Sequence, residues 1–282
     1  MKSKKILFRA DSSSVIGTGH IMRDLVLAKK YALKGCEIVF ATQNLDGNIN
    51  FKIKEAGYRV EILASDSKKE LVKLVKKMGV DLLVIDHYGI DYKQEKYIKN
   101  KTGVKILSFD DTYKKHHCDI LLNHNIYAKK KKYKKLTPKG CEIRCGAKYT
   151  LLRDEFYKQK NKKYKPNKRF SIFIAMGGAD TANLNVKILR FLKNFKNLKA
   201  YVVTTQANQN LPRLKKYAKN KEWIKLHIDS TKIAKLMAKS DLAIVTPSVV
   251  LNEVFYMGLK FIVIKTANNQ QEMYNYVKRL GR

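Results

Sequence analysis

The sequence predicts an α/β protein made of two doubly wound parallel-sheet units. Short apolar runs alternate with amphipathic stretches along the whole chain, the rhythm stops at one polar, Lys-rich stretch and restarts after it, and 282 residues leave room for two domains of ordinary size. In the first half the strand-like runs are KILFRA (5–10), EIVFAT (37–42), VDLLVID (80–86), VKILSFD (104–110) and DILLN (119–123). Each is nearly continuous in apolar character, as strands covered by helices on both faces require. Between the first two, residues 20–34 place Ile21, Leu25, Ala28 and Ala32 at helical spacing, with Gly35 as the stop. After the polar stretch come FSIFIAMGG (170–178), KAYVVTT (199–205), DLAIVT (241–246) and FIVI (261–264), with helical segments near 183–194, 211–219, 230–239, 249–258 and 269–280. The expected organisation is therefore an N-terminal domain over 1–157, a linker at 158–169 and a C-terminal domain over 170–282. Two such domains on a short hinge predict a cleft, with ligands met by the loops at the carboxyl ends of the strands.

Composition narrows the class further. Hydrophobic residues make up 45% of the chain, which excludes a disordered protein. No apolar run approaches the roughly 18–20 residues of a membrane span, and MKSKKILFRA lacks the apolar core of a secretory signal. The expected address is the cytoplasm, with no membrane span. Cys36, Cys118, Cys141 and Cys145 are too few for a disulfide scaffold and are read as thiols. The balance of 59 Lys and Arg against 24 Asp and Glu gives a formal charge of +35. Such a surplus suits a polyanion partner. Against that reading only ten residues are Arg, the better phosphate reader, and the dense tracts 128–135 and 158–169 have the character of solvated loops. No specific nucleic-acid partner is expected, and nothing marks a dedicated apolar interface, so a monomer is.

The chemistry is expected in strand-to-helix loops. DSSSVIGTGHIMRD (11–24) joins the first strand to the first helix, and Gly17 and Gly19 there allow close backbone approach to a diphosphate at a helix start. Met22 breaks the dinucleotide fingerprint and no Walker lysine follows, so neither NAD nor ATP is predicted. His20 follows Gly19 at the helix start, as a general base or, alternatively, as a helix cap or structural histidine. In the second half, MGGAD (176–180) offers Gly177 and Gly178 with free amides, or a plain tight turn. TPSVVLNE (246–253) offers the amides of Ser248 and Val249, with Glu253 one turn into the helix as an acceptor for ribose hydroxyls or as an ordinary surface acid. His116, His117, Cys118 and His124 crowd one segment, but without the spacing of a metal site, and no metal or other cofactor is expected. No G-x-S-x-G elbow supports serine hydrolysis.

Taken in order, IGTGHIMRD, IDHYGID, SFDD, LLNHN, RCGAKYTLLRDEF, MGGAD and the NE pair at 252–253 resemble the UDP-2,4-diacetamido-2,4,6-trideoxy-β-L-altropyranose hydrolases of pseudaminic acid biosynthesis. The likeness spans essentially the whole chain. It implies two Rossmann-like domains facing a cleft in a GT-B-like fold, with UDP held mainly by the C-terminal one. It also implies that His20 activates water for attack on the anomeric carbon, with inversion and loss of UDP. Substrate and nucleotide contacts then fall on Gly17, Gly19, Arg153, Gly177, Gly178, Ser248, Val249, Glu253 and Asn269. Asp11, Asp86, Tyr88 and Asn123 occupy matching loop positions. Pro247 and Val249 stand where small residues are expected, a departure that bears on phosphate contacts. The rival readings are a UDP-sugar glycosyltransferase of the same fold, separable by its need for an acceptor, and a polyanion-binding protein.

Overall fold

A computed structural model describes residues 3–162, 164 and 168–281, and the chain divides into two compact units, Met1–Leu151 and Leu152–Arg282. Unit 1 runs β1 (Lys5–Ala10), α1 (Gly19–Ala32), β2 (Glu37–Thr42), α2 (Asn50–Glu55), β3 (Arg59–Ile62), α3 (Lys68–Met78), β4 (Leu82–Asp86), α4 (Tyr92–Thr102), β5 (Lys105–Phe109), β6 (Ile120–Asn123) and β7 (Glu142–Cys145). Its seven strands lie in the order β3-β2-β1-β4-β5-β6-β7, all parallel. Alternate residues of β1 feed two cores: Ile6, Phe8 and Ala10 pack with Ile21, Leu27 and Ala28 of α1, while Leu7 packs with Leu71 and Val75 of α3 and Ile98 of α4.

Unit 2 begins with α5 (Asp154–Gln159) and continues β8 (Phe170–Ala175), α6 (Leu184–Leu192), β9 (Leu198–Thr204), α7 (Leu211–Ala218), β10 (Ile224–Ile228), α8 (Ile233–Ala238), β11 (Leu242–Val245), α9 (Val249–Met257), β12 (Lys260–Val263) and α10 (Gln271–Leu280). Its parallel sheet has the order β10-β9-β8-β11-β12. Helix α5 packs on α8 and α9, so the stretch expected as a linker, 158–169, falls within this unit. Residues 163 and 165–167 of it lie outside the described ones.

Strand order decides where chemistry can sit. In each sheet the connections run outward from one central strand in both directions, and the loops on either side of that reversal diverge and leave a crevice. The reversal lies between β1 and β4 in unit 1 and between β8 and β11 in unit 2. The loops that leave those strands carry DSSSVIGTGH, HYGI, MGGAD and TPS.

Three strands carry no apolar run. β3 and β10 lie at sheet edges, only partly buried, with charged or polar residues between apolar ones, and the edge strand β7 (EIRC) shares this pattern. Helix α1 also differs from its expected stripe. Its buried face is His20, Ile21, Arg23, Asp24, Leu27 and Ala28, with Leu25 only partly covered. Gly35 takes φ +79°, a turn conformation that side chains resist, three residues beyond the helix end.

Candidate active site

The loop between β1 and α1 is held from below. Gly17, at φ +83°, closes a tight turn by donating its N–H to Ser13 O at 2.9 Å, and the Ser13 hydroxyl accepts the amides of Val15 and Ile16. The Gly17 amide is thus spent inside the loop, and Gly19 opens the helix just beyond. The following crossover pins the loop, with Ser14 N donating to Asp46 O at 2.9 Å and Ile49 N to Ser12 Oγ at 3.0 Å. Gly47 comes so close that a Cβ there would lie 2.9 Å from Ser14 N.

Asp11 braces the same loop. Its carboxylate accepts from Arg9 at 2.8 Å, from Gln43 N at 2.7 Å and from His87 Nε2 at 3.1 Å. Gly89 N donates to His87 Nδ1, so the ring's proton sits on Nε2 and points at Asp11. Burial would raise the Asp11 pKa, but His87 and Arg9 together hold it well below the usual range. Asp11 therefore joins β1, β2 and β4 at their carboxyl ends.

His20 sits one strand along. Its Nδ1 lies 3.0 Å from the Asp86 backbone carbonyl and 2.9 Å from Asp86 Oδ1, across from β1 at the end of β4. A carbonyl oxygen only accepts, so Nδ1 carries a proton, and in the neutral ring Nε2 keeps the lone pair. Nε2 bonds to none of the described residues. The helix-cap reading of His20 fails, because the ring reaches across the sheet and Thr18 stands at the cap position. Burial disfavours the imidazolium, but the Asp86 carboxylate favours it more strongly, with Arg23 opposing, and the His20 pKa ends above its ordinary value.

Arg23 fixes Asp86. Its Nε and a terminal nitrogen grip the two carboxylate oxygens, the former at 2.5 Å, and it reaches Asp111 at 3.5 Å while stacking over Phe109. Asp86 stays ionised for this reason despite its burial. Tyr88, half-exposed, donates to Asp111 Oδ2 at 2.6 Å and meets the His20 ring edge-on with centroids 4.9 Å apart. A pocket of ≈ 60 Å³ opens between Arg23, Asp86, Tyr88 and Asp111. It has the size for a few waters, not for a nucleotide.

A second buried network backs this cluster. Glu95 accepts from Ser108 Oγ at 2.6 Å and pairs with His116 Nδ1 at 2.8 Å; Tyr133 donates to Asp110 at 2.6 Å and accepts from Asn123 Nδ2 at 2.8 Å. Asn123 Oδ1 in turn accepts from Asn125 N and Nδ2. The lysines of the 128–135 tract are mostly solvated as expected, but Tyr133 within it is fully buried and anchors the loop. Among the described residues no group of three or more His, Cys, Asp or Glu side chains is arranged to hold a metal ion.

Unit 2 has its own constellation. Gly177, exposed and at φ +82°, and Gly178 follow β8, and neither amide has a partner among the described residues. The Gly178 carbonyl is tied down by Thr204 and Thr205, and Asp180 accepts the Leu184 and Asn185 amides to start α6. After β11, Ser248 N donates to Thr246 O at 2.8 Å, so the expectation of a free Ser248 amide is corrected. Val249 N, the first amide of α9, is left without a backbone partner among the described residues. Glu253 is buried and receives Arg153 at 3.0 Å, while Arg153 also holds Glu155 at 2.8 Å. The fold thus joins two sites a hundred residues apart. Burial raises the Glu253 pKa against the pull of Arg153. Asn269 lies exposed before α10.

These loops can be set beside known proteins. The chain is 45% identical over 277 residues, 98% of its length and 97% of the relative's, to the UDP-2,4-diacetamido-2,4,6-trideoxy-β-L-altropyranose hydrolase of Campylobacter jejuni. The chain belongs to this hydrolase family. No protein-family model matches it. Among solved structures, the family member resembles Acinetobacter baumannii MurG, with TM-score 0.62 and 14% identity over 99% of this chain and 84% of the other. It also resembles S. aureus MnaA solved with UDP, with TM-score 0.62 and 12% identity over 99% of this chain and 88% of the other. At such low identity these establish the fold, a GT-B-like pair of Rossmann-like units, which the two parallel sheets bear out. Among the described residues no helix is long and apolar enough to cross a membrane.

Arg23, Asp24, Asp111 and Glu95 of this cluster do not stand out individually in the sequence. A usable signal was present for the first two: His20, Arg23 and Asp24 recur at i, i+3 and i+4, putting three ionisable groups on one helix face.

Proposed function

We propose that this protein hydrolyses UDP-2,4-diacetamido-2,4,6-trideoxy-β-L-altropyranose to UDP and 2,4-diacetamido-2,4,6-trideoxy-L-altrose, with water attacking the anomeric carbon and the configuration inverting. Membership of the hydrolase family supports the substrate. The observation that carries the mechanism is the His20–Asp86 pair at the unit 1 switch point, with the proton fixed on Nδ1 and Nε2 left unpartnered. Nε2 takes the proton of the attacking water, and Asp86 stabilises the imidazolium that forms. UDP is a good leaving group, so a single base suffices where glycosidases use two carboxyl groups. The negative charge that grows on the diphosphate is assigned to the amides of Gly177, Gly178 and Val249. Glu253, oriented by Arg153, is assigned to the ribose hydroxyls, and Tyr88 and Asn269 to the sugar and nucleotide. The enzyme is read as a cytoplasmic monomer that needs no metal, so EDTA should leave its rate unchanged.

The test is turnover in ¹⁸O-labelled water without acceptor, with both products followed by mass spectrometry. Label is expected in the sugar, and His20→Ala should lower kcat by about 10²- to 10⁴-fold. Label in UDP would move the attack to phosphorus and overturn the mechanism. Turnover only with an added sugar acceptor would make the protein a transferase.

A further inference from the structure

The loop after β8 is held in one orientation by side chains that have no role in this scheme. The Gly178 carbonyl accepts from Thr204 Oγ1 at 3.0 Å, from Thr205 Oγ1 at 3.0 Å and from Thr205 N at 3.2 Å. The direction of the first bond is fixed in turn. Asn208 Oδ1 accepts Asn210 N at 2.8 Å, so Nδ2 is the atom that donates to Thr204 Oγ1 at 2.9 Å, and the Thr204 proton goes to Gly178. Thr204 and Asn208 are both buried. On the other side of the loop Asp180 takes a left-handed φ of +41°, and its carboxylate holds the Leu184 and Asn185 amides at 2.9 and 3.1 Å. Between these anchors Ala179 is buried, and its N–H donates to none of the described residues. Backbone donors in such places are nearly always paired.

We propose that Thr204 and Thr205 are positioning residues that, by holding the Gly178 carbonyl, turn the Ala179 N–H toward the nucleotide, where it donates to a diphosphate oxygen. The inference rests on the reading that UDP lies at this loop. A trans peptide sets its N–H opposite its C=O, and the Gly178 oxygen points at the end of β9. The Ala179 N–H therefore points away from β9, toward the side of β11, which is the other neighbour of β8 and the side on which the sheet order reverses. The loop that leaves β11 ends in the unpartnered Val249 amide, so both loops at the reversal present a backbone donor. Donors at the Gly178 oxygen also polarise the peptide and strengthen its N–H. A donor fixed in advance needs no reorganisation when an anion arrives.

The experiment follows the ¹⁵N–¹H amide resonances as UDP or uridine is added to wild type, to Thr204→Ser and to the double variant Thr204→Val/Thr205→Val, with both affinities taken from the titrations. In wild type the Ala179 amide proton should move downfield with UDP and little with uridine, which has no diphosphate. The double variant, checked for folding by circular dichroism, should lose that shift and bind UDP about ten-fold more weakly, as one misdirected hydrogen bond to a charged oxygen predicts. Its uridine affinity should stay within about two-fold of wild type. Thr204→Ser keeps the hydroxyl and should keep both the shift and the UDP affinity. Movement of the Gly177 and Gly178 amides with UDP while Ala179 stays still would overturn this inference alone, whereas no response anywhere in the loop would overturn the nucleotide assignment with it. Equal losses of UDP and uridine affinity in the double variant, or a UDP affinity within about two-fold of wild type, would also overturn it. The wild-type titration judges the Ala179 donor even if the double variant does not fold.

Discussion

Replacing Asp86 by Asn tests the base most directly, because the structure separates the two things Asp86 does. Its backbone carbonyl, 3.0 Å from His20 Nδ1, is untouched by the substitution and keeps the proton on that nitrogen. What disappears is the charge 2.9 Å away. That charge is the strongest influence raising the His20 pKa, against burial and Arg23, so removing it leaves a weaker base. The wild-type imidazole has a raised pKa, so its kcat should fall on the acid side as His20 becomes protonated. In Asp86→Asn that acid limb should move to lower pH, leaving kcat flat across the range where the wild type loses activity. At pH 8 the weaker base should lower kcat by at least about ten-fold. Stability should suffer as well. Arg23 is only 4% exposed and loses the charge of its bidentate partner, keeping the amide oxygen and Asp111 at 3.5 Å, so about 3–5 kcal/mol is expected, or roughly 10 °C in Tm. The assay is therefore a pH series of initial UDP release at 20–25 °C, with folding checked by circular dichroism at each pH. A kcat loss under three-fold with the acid limb unmoved would refute the role given to Asp86.

Three further outcomes are expected. Glu253→Ala should raise KM for the nucleotide sugar about ten-fold with little change in kcat, and weaken UDP binding by calorimetry; an unchanged UDP affinity would remove Glu253 from the nucleotide site. Gly47→Ala puts a Cβ 2.9 Å from Ser14 N at a backbone φ of +69°, so it should shift the catalytic loop and lower kcat/KM several-fold while leaving unit 2 binding of UDP intact. His116 is buried, which lowers its pKa, but Asp110 and Glu95 outweigh burial and raise it to about 9. A folded pKa above the unfolded 6.5 means stability that is present below pH 6.5 and lost as pH rises through about 9, so Tm should drop between those values in wild type and much less in His116→Gln.

Much of the fold was legible because it rests on short-range patterning. The runs at 5–10, 37–42, 104–110 and 170–175 are apolar on both faces, which a helix-covered parallel strand requires and little else does. The edge strands β3 and β10 escaped because an edge has one exposed side and needs no such run. The glycine-bearing loops were legible too, since a tight strand-to-helix turn with φ near +80° restricts residue type at Gly17 and Gly177.

The sequence by itself determined that two doubly wound units exist, that His20 opens a helix beneath a small-residue loop, and that the chain resembles one hydrolase family. The tertiary structure decided what each polar group faces. Asp11, Asp86 and Asn123 look alike as strand-end residues, yet Asp11 and Asn123 are taken up in bracing neighbouring strands while Asp86 turns to His20. Strand order makes that difference: β4 lies beside β1 at the reversal of the sheet, sixty-six residues from His20 in sequence and one hydrogen bond away in space. Hydrophobic periodicity records which face of an element is covered but not which element covers it, and it is that neighbour that sets the charge and proton position of a buried group.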